Sequence, residues 1–164
     1  MIDVDAVAPL LAPLADALRV KGWRLAAAES CTGGLIAAAC TSLAGSSDWF
    51  ERGFVTYSNA AKTDQLGVQA SLIDIHGAVS GEVARAMVVG ALARSPADIA
   101  IAVTGIAGPG GAVPGKPVGT VWLAMMQRGG AARVERFQLS GDRASVRAQA
   151  VTIALQRLLA MCAN

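Results

Sequence analysis

Three small side chains that can act as nucleophiles, Ser30, Cys31 and Thr32, precede a Gly33-Gly34 pair in the stretch AAAESCTGGLIAAAC. Apolar segments rich in alanine flank them, a pattern that predicts a strand, a tight turn and a helix. A helix start offers unpaired backbone N–H groups and a partial positive charge, and glycines let a ligand approach the backbone. The stretch therefore fits an anion-binding helix start, a nucleophile with its oxyanion hole, or an N-cap by Ser30 or Thr32.

A serine nucleophile needs a base that accepts its proton. Because His76 is the only histidine of the chain, the candidate bases are a lysine, a tyrosinate, Glu29 and His76 itself. Lys62 follows Tyr57, the only tyrosine, by five residues in FVTYSNAAKTDQLG. If Tyr57 closes a strand and Lys62 begins the next helix, both can face the sheet edge near Ser30. An exposed lysine beside a packed tyrosine ring is the alternative.

A lysine base must lose its proton near neutral pH, which requires burial or a nearby cation. Arg143 could supply that cation, and it lies four residues before Arg147 near the start of a predicted helix in SGDRASVRAQ. Positive charge opposes the helix dipole there, which disfavours a purely structural role for Arg143. A phosphate or carboxylate ligand held by Arg143 would explain its position.

Cys31 and the glycine-rich loop offer two further readings. A thiolate at a helix start has a lowered pKa and could attack, but Cys31 is equally typical of a small buried hydrophobic residue.

The segment GGAVPGK at 110–116 matches part of a phosphate-binding loop, but Pro117 replaces the magnesium-binding hydroxyl and a strand follows instead of a helix. Nucleotide hydrolysis is therefore disfavoured. The loop at 105–119 is either functional or a plain surface turn.

The composition predicts one soluble, cytoplasmic domain spanning residues 1–164. The chain is 54% hydrophobic with a mean hydropathy of +0.48, but it lacks an apolar run long enough to cross a membrane. Its net charge is only +2 with scattered Lys and Arg, which disfavours nucleic acid as a partner. Three cysteines without CxxC spacing and a single histidine predict neither a disulfide framework nor a metal site. Either a homo-oligomer or a well-buried core would explain the apolar composition.

The pattern of apolar residues predicts an α/β fold, a three-layer α/β/α sandwich on a mixed sheet of about five strands. Asn59 and Ser80 are candidate helix caps, and Thr104 ends the most apolar strand at the edge where open α/β sheets bind ligands. The segment 67–80 is predicted to be mostly loop. Helices are expected at 5–20, 33–43, 59–66, 81–94 and 142–162, and strands at 23–28, 51–57, 97–104, 118–127 and 132–139.

Several polar blocks of the chain, in order, resemble the CinA C-terminal domain family. The matching stretches are AESCTGG, GSSDWFERGFVTYSNAAKTDQLGV, HGAVS, TGIAGPGG with KPVGTV, and SGDR. Stand-alone members of this family are nicotinamide-nucleotide amidases. The resemblance implies a three-layer sandwich that deamidates nicotinamide mononucleotide to nicotinic acid mononucleotide and ammonia, in pyridine nucleotide recycling. It implies no metal or other cofactor. A catalytically inactive nucleotide- or partner-binding module on the same fold is the alternative.

The resemblance also implies roles for particular residues. It places the nucleophile on Ser30, the general base on Lys62 and a supporting tyrosine on Tyr57, and we expect the tyrosine to hydrogen-bond within the Ser-Lys dyad. Further positions are expected to stabilise the oxyanion or to contact the substrate: Thr32, Gly33 and Gly34 for the oxyanion, Gly105, Gly108 and Arg143 for the phosphate and ribose, and Ser47 and Thr104 for other contacts or support.

Overall fold

The computed structural model describes residues 4–163, which form six α-helices and five strands. A short 3-10 turn at Ser46–Asp48 precedes the second strand. In chain order the elements are α1 (Val4–Lys21), β1 (Leu25–Glu29), α2 (Leu35–Ser42), β2 (Phe50–Val55), α3 (Asn59–Leu66), α4 (Ala70–His76), α5 (Gly81–Ala93), β3 (Ile99–Gly105), β4 (Thr120–Gln127), β5 (Arg133–Gln138) and α6 (Arg143–Ala163).

The strands form one mixed sheet in the order β2-β1-β3-β4-β5. The central strand β1 runs parallel to both β2 and β3, with Ala28 opposite Phe54 on one side and Ala102 on the other. β4 pairs antiparallel with both β3 and β5, and the β4–β5 pair is the hairpin predicted around Gly129-Gly130. The mixed five-stranded sheet with helices on both faces confirms the predicted fold class.

Alternate residues of the sheet enter two separate cores. Leu25 and Ala27 of β1 pack in the larger core beneath α1, α2 and α6, whereas Ala26 and Ala28 face α5 and the residues around it. Strands buried on both faces read as continuous apolar runs, which is why β3 was evident from the sequence. These cores account for much of the chain's apolar composition. The homo-oligomer stays a prediction.

Two local expectations were wrong. Residues 70–76 form helix α4 rather than a loop; it has no side-chain N-cap, but it buries Ile73. A helix of only seven residues offered little periodicity to recognise in the sequence. The side chain that caps α3 is Ser58, whose Oγ accepts from the Ala61 N–H at 3.0 Å, and not Asn59. Ser80 caps α5 as predicted, accepting from the Val83 N–H.

The connections around β1 create a crevice at the carboxyl end of the sheet. The chain leaves β1 through α2 on the face of the larger core and returns from β2 to β3 through α3, α4 and α5 on the opposite face. Open α/β sheets bind ligands where successive connections diverge in this way. Among residues 4–163, no helix combines the length and apolar character needed to cross a membrane.

Candidate active site

Ser30 and Lys62 meet at the carboxyl end of β1. Ser30 directly follows this strand, and its N–H donates to the Val103 carbonyl, which continues the pairing with β3. Lys62 Nζ lies 3.1 Å from Ser30 Oγ and 2.8 Å from the carbonyl oxygen of Thr56. The Lys62 residue is only 1% exposed and Ser30 only 8%. The structure therefore brings the two residues into direct contact in a buried setting.

Burial lowers the pKa of Lys62 below its usual value. The helix that carries Lys62, α3, packs closely against α5 because Gly90 has no side chain. A Cβ at Gly90 would lie 2.0 Å from the carbonyl oxygen of Leu66. Lys62, on the same helix as Leu66, is only 1% exposed. Burial, rather than the charge of Arg143 considered from the sequence, is thus the main cause of the shift.

The turn after Ser30 is capped by a residue that precedes it. The fully buried carboxylate of Glu29 accepts from the N–H groups of Gly34 and Ile36 through Oε2 and of Ala37 through Oε1. These bonds satisfy orphan donors at the start of α2. Neither Ser30 nor Thr32 caps this helix, since Thr32 Oγ1 has no hydrogen-bond partner in the described structure. The N-cap interpretation of the stretch was therefore wrong.

The capping bonds also change the candidate oxyanion donors. The Gly33 N–H donates to the Ser30 carbonyl, and the Gly34 N–H is bound by Glu29, so the two glycine amides are already engaged. In the described turn, only the N–H groups of Cys31 and Thr32 donate no hydrogen bond to a carbonyl or carboxylate oxygen. The glycines serve the turn through their positive φ angles of 59° and 97°.

The Cys31 thiol is poorly suited to nucleophilic attack. Its side chain is buried, and burial raises its pKa to about 11. Attack requires the thiolate, which a raised pKa makes scarce at neutral pH. The Cys31 sulfur also leaves little space at Gly105, where a Cβ would lie 3.2 Å from it. Cys31 is therefore a packing residue beside Ser30.

Arg143, Tyr57 and Gly108 form the rim of the crevice. The Arg143 guanidinium donates to the Gly108 carbonyl at 2.9 Å and to the Tyr57 hydroxyl at 2.8 Å. Tyr57 is 60% exposed, and only its backbone carbonyl, 3.5 Å from Lys62 Nζ, approaches the dyad. This placement corrects the expectation that the Tyr57 hydroxyl bonds within the dyad. The rim instead presents a positive charge and a phenol to solvent.

Thr104 and Gly105 end β3 at the carboxyl end of the sheet and expose no polar side chain. Thr104 is fully buried, and its hydroxyl donates to the Ala78 carbonyl at 2.9 Å, which ties the end of β3 to the segment before α5. A Cβ at Gly105 would lie 2.9 Å from the Thr120 carbonyl oxygen. Both residues therefore shape the crevice: Thr104 anchors a loop, and Gly105 allows two strands and Cys31 to pack closely.

Two residues considered from the sequence lie away from the dyad. Ser47 lies in the 3-10 turn before β2, at the amino ends of the parallel strands, about 16 Å from their carboxyl ends for a strand of this length. Its carbonyl accepts from Arg24. His76 ends α4 and faces Glu82. Ser47 therefore does not lie beside Ser30 in this chain, and its contact with substrate or supporting role stays a prediction. Within the described residues, His76 forms no triad with Ser30.

Sequence reasoning gave no structural role to two charged residues that contact the turn. Glu29 was considered only as a base, and Arg147 only as a neighbour of Arg143 on the same helix face. Arg147 Nε and Nη2 donate to the carbonyls of Cys31 and Thr32, both at 3.1 Å. A carboxylate ending an apolar strand was the available signal for Glu29, since a buried charge requires partners.

Comparison with known proteins assigns the chain to a family. The model of the CinA C-terminal domain matches residues 8–162. The chain belongs to the CinA C-terminal domain family. A protein of Pseudomonas putida named nicotinamide-nucleotide amidohydrolase PncC is 54% identical to it, over 95% of this chain and 97% of its own. A protein of Enterobacter agglomerans with the same name is 53% identical over 87% of each chain.

Longer members of the CinA family match as well. A CinA-like protein of Citrifermentans bemidjiense is 60% identical over 82% of this chain, which corresponds to only 32% of its own length. Among solved structures, the competence/damage inducible protein CihA from Agrobacterium tumefaciens has a TM-score of 0.91 and 45% identity, covering 93% of each chain. A CinA superfamily protein from Escherichia coli has a TM-score of 0.92 and 37% identity, covering 98% of this chain and 93% of its own.

Proposed function

We propose that the chain is a nicotinamide-nucleotide amidase that converts nicotinamide mononucleotide to nicotinic acid mononucleotide and ammonia. The observation that carries this proposal is the 3.1 Å contact between Ser30 Oγ and the buried Lys62 Nζ. The shared name of the relatives that match nearly full length supports the choice of substrate. A cytoplasmic location and a place in pyridine nucleotide recycling are part of the proposal, on the family resemblance.

Ser30 is the proposed nucleophile and Lys62 its general base. A neutral amine has two N–H groups and one lone pair. The Thr56 carbonyl at 2.8 Å and the more distant Tyr57 carbonyl at 3.5 Å can accept the two N–H groups, which leaves the lone pair for the Ser30 hydroxyl. Because burial lowers the Lys62 pKa, more of the lysine is neutral at a given pH than in water.

The reaction then proceeds through an acyl-enzyme. Ser30 Oγ bonds to the carboxamide carbon while its proton passes to Lys62, which forms a tetrahedral oxyanion. Lys62 returns the proton to the leaving nitrogen, and ammonia departs. Water next attacks the acyl-enzyme with Lys62 again as base, which releases the carboxylate product and restores Ser30. Lys62 Nζ thus accepts a proton from Ser30 Oγ and gives it to the leaving nitrogen, then accepts a proton from water and gives it back to Ser30 Oγ.

The remaining substrate contacts are assigned to the rim and the turn. Arg143 supplies a positive charge for the phosphate, with Tyr57 beside it. The Gly108 carbonyl fixes the other side of the guanidinium, so the glycine-rich loop positions Arg143 as well as bounding the ribose. Thr32 contributes an unpaired backbone N–H toward the oxyanion.

The proposal is tested by ammonia release from nicotinamide mononucleotide together with trapping by hydroxylamine. Wild type should form ammonia and, with hydroxylamine present, a hydroxamate, because the acyl-enzyme partitions between the two nucleophiles. Ser30→Ala should lose at least about a thousandfold in kcat. Cys31→Ala is the matched control, since it changes the adjacent side chain of similar size, and it should retain most of the rate.

Three outcomes would contradict parts of the proposal. Loss of activity in Cys31→Ala with retention in Ser30→Ala would transfer the nucleophile to the thiol. Ammonia release without hydroxamate would exclude a trappable acyl-enzyme. Thermal stabilisation of wild type by the nucleotide without any ammonia would indicate the alternative, a binding module that lacks catalysis.

A further inference from the structure

We infer that Arg147 is a positioning residue of this site, which aims the backbone N–H of Thr32 at the oxyanion. The inference rests on the proposed acyl transfer and concerns a residue outside the Ser30–Lys62 pair. Arg147 lies on α6, half-buried, one helical turn after Arg143. Its Nε and Nη2 each donate at 3.1 Å, to the carbonyl of Cys31 and to that of Thr32.

Because the peptide bond is planar, the contact of Arg147 with the Cys31 carbonyl also fixes the direction of the Thr32 N–H. The Cys31 carbonyl and the Thr32 N–H belong to one trans peptide unit, so they point in opposite directions. By holding the carbonyl, Arg147 turns the Thr32 N–H away from α6. The bond to the Thr32 carbonyl fixes the next peptide unit, whose Gly33 N–H donates to Ser30. Arg147 thus sets two consecutive peptide planes.

The Cys31 N–H is also unpaired, but Arg147 does not hold the peptide unit to which it belongs, and the other amides of the turn are already engaged. Gly33 N–H donates to the Ser30 carbonyl, Leu35 N–H donates to the Thr32 carbonyl, and the next donors into α2 are bound by Glu29. An amide that stabilises an oxyanion must be both unpaired and fixed in direction before the substrate arrives. In the described turn the Thr32 N–H is unpaired and has its peptide held by a charged side chain.

The geometry also separates Arg147 from a substrate-binding arginine. Both donating nitrogens of Arg147 are committed to backbone carbonyls of the turn, whereas Arg143 lies exposed at the rim. A charged donor strengthens each hydrogen bond to the carbonyls. Loss of Arg147 should therefore reduce the rate of acyl transfer at Ser30 and leave substrate affinity nearly unchanged.

The test uses Arg147→Met and Arg147→Lys with Arg157→Met as the matched control. Arg157 lies on the same helix and pairs with Glu135 away from the turn. Two substrates are compared: nicotinamide mononucleotide, and p-nitrophenyl acetate, an activated ester that reports acylation of Ser30 without a nucleotide. Denaturant unfolding of each variant establishes that the protein assayed is folded.

Arg147→Met should lower kcat for the nucleotide and the acylation rate for the ester by about 10- to 100-fold, part of the effect of losing one oxyanion donor. KM should change by less than about threefold, and the midpoint of the pH profile should not move. Arg147→Lys can reach only one carbonyl and should be intermediate. Arg157→Met should match wild type in both assays.

A second measurement observes the amide itself. In isotope-labelled wild type, the Thr32 N–H resonance should shift when an alkyl boronic acid forms a tetrahedral adduct with Ser30, and this shift should shrink in Arg147→Lys. An unmoved Thr32 resonance in wild type, an effect confined to KM, or unchanged rates in a folded Arg147→Met would overturn the inference. A wild type that reacts with the ester but not the nucleotide would overturn only the proposed substrate, while one inert to both would overturn both proposals.

Discussion

Arg143 donates a 2.8 Å hydrogen bond to the hydroxyl of Tyr57, which joins the start of α6 to the segment after β2. The two residues are 86 positions apart in the sequence. Because the phenol is bound here and 60% exposed, it belongs to the exposed rim and not to the buried Ser30–Lys62 pair, so we expect it to act in substrate binding and not in proton transfer. This distinction between binding and proton transfer can be measured.

Tyr57→Phe removes the hydroxyl and keeps the ring. We expect KM for nicotinamide mononucleotide to rise about fivefold to tenfold, as for an exposed hydrogen bond to a charged group, with kcat within about threefold of wild type. Steady-state kinetics provide the measurement, and Arg143→Gln should raise KM further because the charge is lost as well. A large fall in kcat with KM unchanged would instead support a proton relay through Tyr57.

The proposed base makes activity depend on pH in one direction. Because burial lowers the pKa of Lys62, kcat should rise with pH and level off below the usual lysine value of 10.5. Lys62→Met should lower kcat by at least about a hundredfold, and its kcat should no longer rise with pH. Rates measured across pH check this expectation, and a profile that keeps the same midpoint in Lys62→Met would assign the titration to another group.

The same buried lysine links stability to pH. Between the lowered pKa of Lys62 and its unfolded value of about 10.4, the folded state binds fewer protons than the unfolded state. The contribution of Lys62 to the free energy of unfolding therefore increases as pH rises through that window. Below the lowered pKa, both states are protonated and the cost of burying the charge is fully present. Wild type should therefore gain stability relative to Lys62→Met as pH increases, in denaturant titrations at several pH values. A difference independent of pH would contradict the shifted pKa.

Glu29→Gln tests the cap of α2. The amide keeps one acceptor oxygen, while the carboxylate used two oxygens to accept three N–H groups. We expect a loss of about 2–4 kcal/mol in the free energy of unfolding, because buried donors lose a charged partner. Denaturant unfolding measures it, with Glu82→Gln on an exposed helix start as the control. Equal stability of the two variants would show that the cap contributes little.

Gly90→Ala tests the close approach of α3 and α5. The new Cβ would meet the Leu66 carbonyl oxygen at 2.0 Å, so one helix must move, at a cost of about 1–3 kcal/mol. Because α3 carries Lys62, kcat should fall as well. Gly110→Ala is the control for stability, since nothing lies within 4 Å of its added Cβ. Retention of full stability and rate in Gly90→Ala would show that the helices separate freely.

The sequence predicted those features that local patterns encode. β3 was recognisable from its continuous apolar run, and Ser80 was recognisable as a cap because its acceptor and donor lie three residues apart. The direction of the strands would also have placed Ser47 at the opposite end of the sheet from Ser30, since Ser47 precedes a parallel strand and Ser30 follows one. That geometric consequence was available from the order of elements alone.

Contacts between distant segments were less accessible. Glu29 caps a helix from the preceding strand, which no local capping motif describes, and Arg147 reaches the turn over more than a hundred intervening residues. Whether an amide is paired depends on such partners, so the sequence located the turn but did not reveal that the Gly33 and Gly34 amides are already bonded. The short helix α4 was missed because it depends on packing of Ile73 more than on its own sequence.

Arg143 and Arg147, which contact the rim and the turn beside Ser30, lie on the last helix to be synthesised, α6. Ser30 and Lys62 are synthesised before α6, so the proposed nucleophile and base exist on the growing chain without the helix whose arginines contact the turn and the rim. Only when α6 has been made and has docked can the turn be held from both sides. The turn beside Ser30 therefore reaches the geometry described here only after α6 has docked.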